Sequence, residues 1–432
     1  MDGNLKYLFI HQHFPGQYLH IVRHLVRAGG NEIVFISEDN PNVVQGVRRV
    51  IYRIPHCAFD GGHMATRDLD HGMVRAAEVE RTARTIRRLG FEPDIIIGHH
   101  GWGELLNIQD VFPDVPVLGY FEFFYHSTPG FDAHFDPEFP LRQELSPLIR
   151  AKNAINLLAL AAPGHGQTPT LFQKNTYPAC FTDKISVLRE GVDLDQCRPD
   201  PAAAGRVFRL GDIRITPGQK LVTYVARDLE PYRGFHVFMR ALVPLLAERA
   251  DIQVVLVGGD SVSYGAALAA GTWRQAMLAE LEGKLDLSRI HFAGKVAYED
   301  FVRLLQRSDV HVYLTYPFVA SWSLREAMAM GCAIVGSATA PVEEFLTNGR
   351  TARLVPFLDP QAIARGVLEL LSNTRLATRL RRAVRAQAES RLCLHAYLAE
   401  YEALITQLVG SRAAPAVRPA RLRAAPRRRV LS

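Results

Sequence analysis

Short stretches with apolar residues at successive, and not only at alternate, positions recur along this chain with amphipathic segments between them. "YLFI" (7–10), "EIVFIS" (32–37), "DIIIGHH" (94–100), "VPVLGYF" (115–121) and "KISVL" (184–188) form a first series. A strand with one wet face alternates; a strand apolar on both faces must be covered on both, which is the condition of a parallel sheet between helices. The first stretch leads through the loop "HQHFPGQ" into a helix with Tyr18, Leu19, Ile21, Val22, Leu25 and Val26 as its apolar positions, ended by Gly29 and Gly30, so it reads as one βα unit.

The series then breaks. "CRPDPAAAGRVFRLGDIRITPGQK" (197–220) is rich in Pro, Gly and charge and reads as a linker. After it "LVTYVAR" (221–227), a helix bent or ended near Pro244, "IQVVLVGG" (252–259), "IHFAGKV" (290–296), "DVHVYLT" (309–315), "CAIVGSA" (332–338) and "ARLVPF" (352–357) repeat the alternation. The expected architecture is α/β, with two doubly wound Rossmann-like domains facing a central cleft. The boundaries expected are 1–196 for the first domain, 197–220 for the linker, 221–385 for the second, 386–410 for a helix packing back on the first, and 411–432 for a disordered tail.

The tail accounts for the charge. Seven of the 50 basic residues lie after residue 410 with no acid among them, so the rest of the chain holds 43 basic against 44 acidic residues. The excess is therefore no argument for nucleic acid; a weak contact of the Ala-, Pro- and Arg-rich tail with anionic lipid competes with a merely solvated extension. Five cysteines without a CxxC pair fit neither a disulfide framework nor a zinc site. The longest apolar run, "INLLALAA", is too short to span a bilayer and the N-terminus lacks a signal core, so a cytoplasmic chain is expected, peripheral to a membrane at most. No GxGxxG after a strand and no GxxxxGK[ST] occur, and the two "DLD" triplets are too short to define a metal site.

Ligands of such sheets bind beyond the carboxyl ends of the strands. There "RDLEPYRGF" places Arg227 and Arg233 around a helix start. Two guanidiniums with free N–H groups suit a diphosphate, and both are expected open to solvent; ion pairs with Asp228 or Glu230 are the competing reading. In "FVASWSLREAMAMGCAIVGSA" (318–338) small residues precede a helix carrying Glu326, whose carboxylate can accept two hydrogen bonds from a ribose diol or act as a surface charge at the helix start.

These segments, with "LVGGDS", "HFAGKVAYEDFVRLLQRSDVHVYLTYPF" and "APVEEFLTNGRTARLV", together resemble the donor half of retaining glycosyltransferases of family 4, which have the GT-B fold. The likeness spans most of 220–375. "HQHFPGQYLHIVRHL", "PDIIIGHHGWGELL" and "DKISVLREGVDLDQCRPD" carry a looser one in the first half. The resemblance implies that Arg227 and Arg233 bind the donor diphosphate, that Glu326 binds ribose, and that backbone at Ser321, Trp322 and Ser323 holds sugar hydroxyls and phosphate. It also implies that Gly16 approaches the diphosphate from the other wall and that the segment around Lys295 and Val296 lines the base pocket. The family often has a second glutamate eight residues before the one at Glu326; here that residue is Phe318, which cannot accept sugar hydroxyls. His100 and Glu122 are candidates for the sugar or acceptor side. The implied reaction is transfer of a hexosyl unit, with retention, from a nucleoside-diphosphate sugar to a saccharide or lipid-linked saccharide, without metal or other cofactor, in polysaccharide or glycoconjugate synthesis. An epimerase or a non-catalytic nucleotide-sugar binder are the alternatives. Oligomeric state is not fixed by the sequence.

Overall fold

The structure, a computed structural model, describes residues 4–55 and 63–411. The first sheet is parallel throughout and has seven strands: β1 (Lys6–Ile10), β2 (Glu32–Ser37), β3 (Arg48–Ile51), β4 (Ile95–His99), β5 (Val117–Tyr120), β6 (His165–Thr168) and β7 (Ile185–Val187), in the order β3-β2-β1-β4-β5-β6-β7. A short antiparallel pair follows, β8 (Phe208–Leu210) and β9 (Ile213–Ile215). The second parallel sheet holds β10 (Lys220–Asp228), β11 (Ile252–Gly259), β12 (Ile290–Gly294), β13 (Val310–Tyr313), β14 (Ile334–Ser337) and β15 (Arg353–Val355), in the order β12-β11-β10-β13-β14-β15. In both sheets the chain reverses direction beside the first strand, between β1 and β4 and between β10 and β13. Such switch points open a crevice at the carboxyl ends of the strands.

Register explains the uniform apolarity. Phe9 of β1 lies level with Phe35 of β2 and Ile97 of β4, and Tyr224 of β10 with Leu256 and Val312; all are buried. The helices expected from periodicity cover both faces.

Several expectations are corrected. β3 and β6, "RRVI" and "HGQT", do not show in the apolar pattern. The helix Phe235–Glu248 runs through Pro244 without ending there. The span read as a linker contains the β8–β9 pair, whose Phe208, Leu210 and Ile215 pack on Leu221, Val255 and Val257 of the second sheet. The return to the first domain comes later than residue 386: helix Thr374–Arg391 keeps Ala377, Leu380, Val384 and Ala388 in the cores of the second domain, while Leu394–Ser411 sets Tyr397, Leu398, Tyr401 and Ile405 against Tyr7, Phe9 and Tyr18 of the first. The two crossings run side by side, with Val192 N–H donating to Leu392 O (2.8 Å) and Leu394 N–H to Val192 O (3.1 Å). Residue 411, expected to open the tail, is the last residue of that helix, and the remainder of the expected tail, 412–432, lies outside the described residues.

A second connection was not anticipated. After β5 the segment 123–145 leaves the first sheet and lies across the second domain. The Phe135 ring meets Tyr316 at a tilt and Phe357 edge-on, and Phe139 meets His236 and Trp273 edge-on. Asp132 accepts from Tyr232 (2.9 Å), and Asp136 from Tyr316 (2.7 Å) with His236 Nε2 at 2.9 Å.

Candidate active site

Arg227, near the end of β10, is exposed and has no hydrogen bond or ion pair among the described residues. Its acidic neighbours are committed elsewhere. Asp228 turns to Ser263 and to Lys295 at 3.6 Å, and the fully buried Glu230 accepts the backbone N–H groups of Ser263 (3.1 Å), Tyr264 and Gly265 (2.8 Å). Ion pairing of the two arginines with Asp228 or Glu230 is thereby ruled out as the reason for their presence.

Arg233 differs from the expectation of solvent access. It is 4% exposed, donates to Thr315 Oγ1 and Val319 O, both at 2.8 Å, and lies under the Tyr264 ring, 4.8 Å from its centroid. Glu230 holds that ring in place by binding the Tyr264 backbone. The turn into the next helix needs Gly234, at φ 72°, where a Cβ would stand 2.6 Å from that of Leu314.

The helix Trp322–Ala329 starts beside this loop. Ser321 N–H donates to Tyr313 Oη (2.8 Å) and the Ser321 and Ser323 hydroxyls meet at 2.7 Å. Trp322 Nε1 and Arg325 each donate to Glu190 Oε2 at 2.7 Å, and Glu190 Oε1 accepts from Tyr120 at 3.2 Å. Glu190 belongs to the first domain, so this is a bridge across the cleft. Its side chain and that of Arg325 are 10% and 2% exposed. Glu326, half-buried, accepts from Tyr298 Oη (2.8 Å); burial pushes its carboxyl above the usual range. It lines a narrow pocket with Gln17, His20, Glu190, Asp193 and Trp322. Gly16, at φ 55°, directly precedes Gln17 of that pocket, with the His11 ring 2.9 Å from where a Cβ would be. Val296 is half-buried beside Val225, next to Lys295. Phe318 is buried among Phe123 (4.8 Å), Tyr264 (5.1 Å) and Tyr232 (5.6 Å), centroid to centroid.

On the first-domain wall Glu122 keeps 38% of its side chain exposed. Loss of hydration and the nearby Glu190 push its carboxyl up to about 7, against the pull of Arg233, Arg227 and Lys152. His100 does not face the cleft: its ring packs on Phe121 (4.5 Å) and against Gly119, and burial lowers it to about 3. The preceding residue takes that place. His99 Nδ1 accepts Gly101 N–H (2.8 Å), so the neutral ring carries its proton on Nε2, 3.8 Å from Glu122. His99 also stacks with Tyr120 (5.2 Å) and with the half-exposed Trp102 (6.2 Å). Periodicity cannot separate two adjacent histidines at a strand end, although strand alternation says that only one of them can face a given side. Glu190 was also missed, a lone glutamate in "LREGVD".

Among the described residues the one group of side chains near enough to share a metal is Asp136, Glu138 and His236. All three are already engaged, Glu138 by Arg240 at 2.7 and 2.9 Å.

Comparison with known proteins bears on the fold and the family. Solved structures that align over nearly the whole chain include sucrose-phosphate synthase from Thermosynechococcus elongatus (TM-score 0.69, 15% identity, 94% of this chain and 100% of that one). Anabaena HepE in complex with UDP-glucose aligns with a TM-score of 0.64 and 14% identity, again over 94% and 100%. The fold is GT-B. The model described as "Glycosyl transferase family 4 group" matches residues 29–197 and that described as "Glycosyl transferases group 1" matches 219–373; the chain belongs to the glycosyltransferases of this group 1, family 4 type. Among curated relatives, D-inositol 3-phosphate glycosyltransferases from Streptomyces scabiei and Streptomyces avermitilis are 31% and 30% identical over 48% of this chain. The matched region spans less than half the length of those relatives, 45% and 43%.

Proposed function

We propose that the protein is a retaining glycosyltransferase that moves a hexosyl unit from a nucleoside-diphosphate sugar to a saccharide or lipid-linked saccharide. The observation that carries this reading is the free guanidinium of Arg227 beside the inward-turned Arg233, with both neighbouring acids bound elsewhere and Glu122 opposite. Arg227 and Arg233 would take up the charge that grows on the leaving diphosphate, a contribution of about 3 kcal/mol for a well-placed donor. Glu326 would exchange its Tyr298 bond for ribose hydroxyls, and Glu122 with His99 would hold hydroxyls from the first-domain wall. Gly16 and the start of the Trp322 helix would bring backbone close to phosphate and sugar, and Val296 would border the base. The two guanidiniums can neutralise a diphosphate without a metal ion. The name of the Anabaena structure, a complex with UDP-glucose, supports a donor of this class.

One observation favours a second reading, a nucleotide-sugar binder without transfer. Phe318 fills an aromatic cluster beside Arg233, and Arg233 is held inside it by Thr315 and Val319. A panel of UDP-, GDP- and ADP-sugars separates the two by release of nucleotide with a saccharide acceptor present, and product analysis without acceptor separates an epimerase. Arg227→Ala is expected to lower transfer about 10²- to 10³-fold, with melting unchanged because the side chain has no partner to lose. Wild-type turnover by that variant would sink the assignment.

A further inference from the structure

The narrow pocket beside Glu326 lies between the domains, and the donor reading uses only one side of it. Glu326, Tyr298 and Arg325 form its second-domain side and Gln17, His20 and Glu190 its first-domain side. At about 30 Å³ it has room for one small polar group and not for a ring.

Most polar atoms along it are already bonded. Glu190 takes Trp322 and Arg325 on Oε2 and Tyr120 on Oε1, and Asp193 Oδ1 holds the backbone N–H groups of Asp195 and Gln196 at 3.1 and 3.0 Å. Two donors are left over. The His11 ring bonds the Gln17 side chain, and because Gln17 Nε2 is buried without a partner, that bond falls on the amide oxygen. Gly16 makes this possible, since a Cβ there would stand 2.9 Å from the His11 ring and push it off Gln17. Arg325 gives Nη1 to Glu190 and keeps Nε buried without a partner as well. Opposite them, Glu326 takes Tyr298 on Oε1 and has no other hydrogen bond among the described residues.

The group that completes such a pocket is narrowly defined. A carboxylate needs a donor and the two N–H groups need an acceptor; one oxygen that supplies both is a hydroxyl. An anion would face the acids Glu326 and Glu190, and a cation would leave the N–H groups unpaired.

We infer that Gln17 is a second binding residue for the donor ribose: the hydroxyl that donates to Glu326 on the second-domain wall accepts from Gln17 Nε2 on the first, so the ribose is gripped from both domains and the site selects ribonucleotides over their deoxy forms. Arg325 Nε, on the same pocket, can give that oxygen its second hydrogen bond. The inference rests on the donor reading of Glu326 and adds the first-domain half of the ribose site.

The test is calorimetry on the full chain, with thermal melting to show that each variant is folded. Whichever of UDP, GDP and ADP binds is compared with its 2′-deoxy and 3′-deoxy forms in wild type, Gln17→Leu and Gln17→Glu. Leucine removes the donor at similar size; glutamate keeps an oxygen for His11 and puts a second acceptor where the donor was. Wild type should bind at least one deoxy form about 10-fold or more weakly than the ribonucleotide, because a site built around a hydroxyl is left unpaired without it. Gln17→Leu should bind the ribonucleotide about 10-fold more weakly than wild type does and that deoxy form nearly as well, so that the preference shrinks. In Gln17→Glu it should shrink too. A merely structural Gln17 would lower melting and weaken all three nucleotides alike. Equal binding of the three by wild type, or an undiminished preference in Gln17→Leu, therefore overturns the inference and leaves the donor reading standing. If none of UDP, GDP and ADP binds, the donor reading itself has failed and this inference falls with it.

Discussion

The two walls of the cleft are built differently. On the second-domain wall the candidate residues come from three short segments, 227–234, 295–298 and 315–326, tied to one another and to the turn beside them: Glu230 to the Ser263–Gly265 turn, Arg233 to Val319, Tyr298 to Glu326, Ser321 to the Tyr313 hydroxyl. On the first-domain wall they come from four separate places, His11–Gln17, His99–Glu104, Glu122–Tyr125 and Glu190, brought together by the sheet alone. Groups of the first wall are moved far from their ordinary values, the buried His11 lowered to about 4 and the buried Glu104 and part-exposed Glu122 raised to about 7, while on the second wall burial raises Glu326 and Arg227 stands exposed without a partner among the described residues. Both walls bury polar atoms without a hydrogen-bond partner, Glu104 Oε2 on the first and Arg325 Nε on the second, so the contrast lies in how the candidate residues are assembled.

Glu190 is where this contrast breaks down, since it belongs to the first wall and binds the second. Glu190→Ala would leave the Arg325 guanidinium buried without its counterion, an effect of about 3 to 5 kcal/mol, the largest expected here. Glu190→Gln, which keeps an acceptor for Trp322, should cost less. Chemical denaturation of the three proteins checks this. Loss below about 1 kcal/mol in Glu190→Ala would mean that the two walls are joined by the side-by-side crossings at Val192 and Leu392 and not by this bridge.

The same contrast governs what the sequence reveals. Arg227, Arg233, Glu326 and Phe318 can be picked out because each of the two stretches that carry them, 227–235 and 318–328, is contiguous in the sequence. The architecture is legible because strands covered on both faces are apolar throughout. β6 is not, because "HGQT" pairs its polar side chains inside the fold, Gln167 with Tyr401 (3.3 Å) and His165 with Ser186 (2.8 Å), which no local pattern shows. Arg233 reads as an open cleft residue until Tyr264, 31 positions away, is seen to cover it. The choice between His99 and His100 depends on which face of β4 meets Glu122, and Glu190 acquires a role only when Arg325, on another domain, is placed beside it.

Glu104 sharpens the electrostatic side of the comparison. It is 1% exposed, accepts from Tyr52 Oη at 3.2 Å, leaves its second oxygen without a partner, and is pushed up to about 7 mainly by burial. Below its ordinary value of 4.5 the carboxyl is protonated whether the chain is folded or not. As pH rises from there to about 7 the unfolded chain ionises first, so the folded state loses stability over that window and no further above it. Glu104→Gln removes the titration. The stability of the variant relative to wild type should therefore rise between those two pH values, by about 3 kcal/mol at most, and stay level beyond. The depressed histidines of the same wall act with the opposite sign, but they are common to both proteins and cancel in the difference. A gap that does not change with pH would show that Glu104 ionises normally and that the first wall is better hydrated than its burial indicates.

The smallest effect is expected where the segment 123–145 meets solvent. Glu138 takes two hydrogen bonds from Arg240, at 2.7 and 2.9 Å, yet its side chain is 43% exposed and Arg240 is also held by Glu280 at 2.6 Å. Losing one of two exposed partners should cost no more than about 1 kcal/mol. The rest of the segment is anchored differently, by Phe135 and Phe139 among aromatic rings and by the buried Asp136 between His236 and Tyr316. Glu138→Gln should therefore shift thermal melting slightly at ~0.1 M salt and less at ~1 M, where the screening length falls from ~10 to ~3 Å. A large shift that salt leaves unchanged would place the hold of this segment in its outer ion pair. The second connection between the domains would then be an electrostatic clasp, in contrast to the apolar seat that its phenylalanines describe.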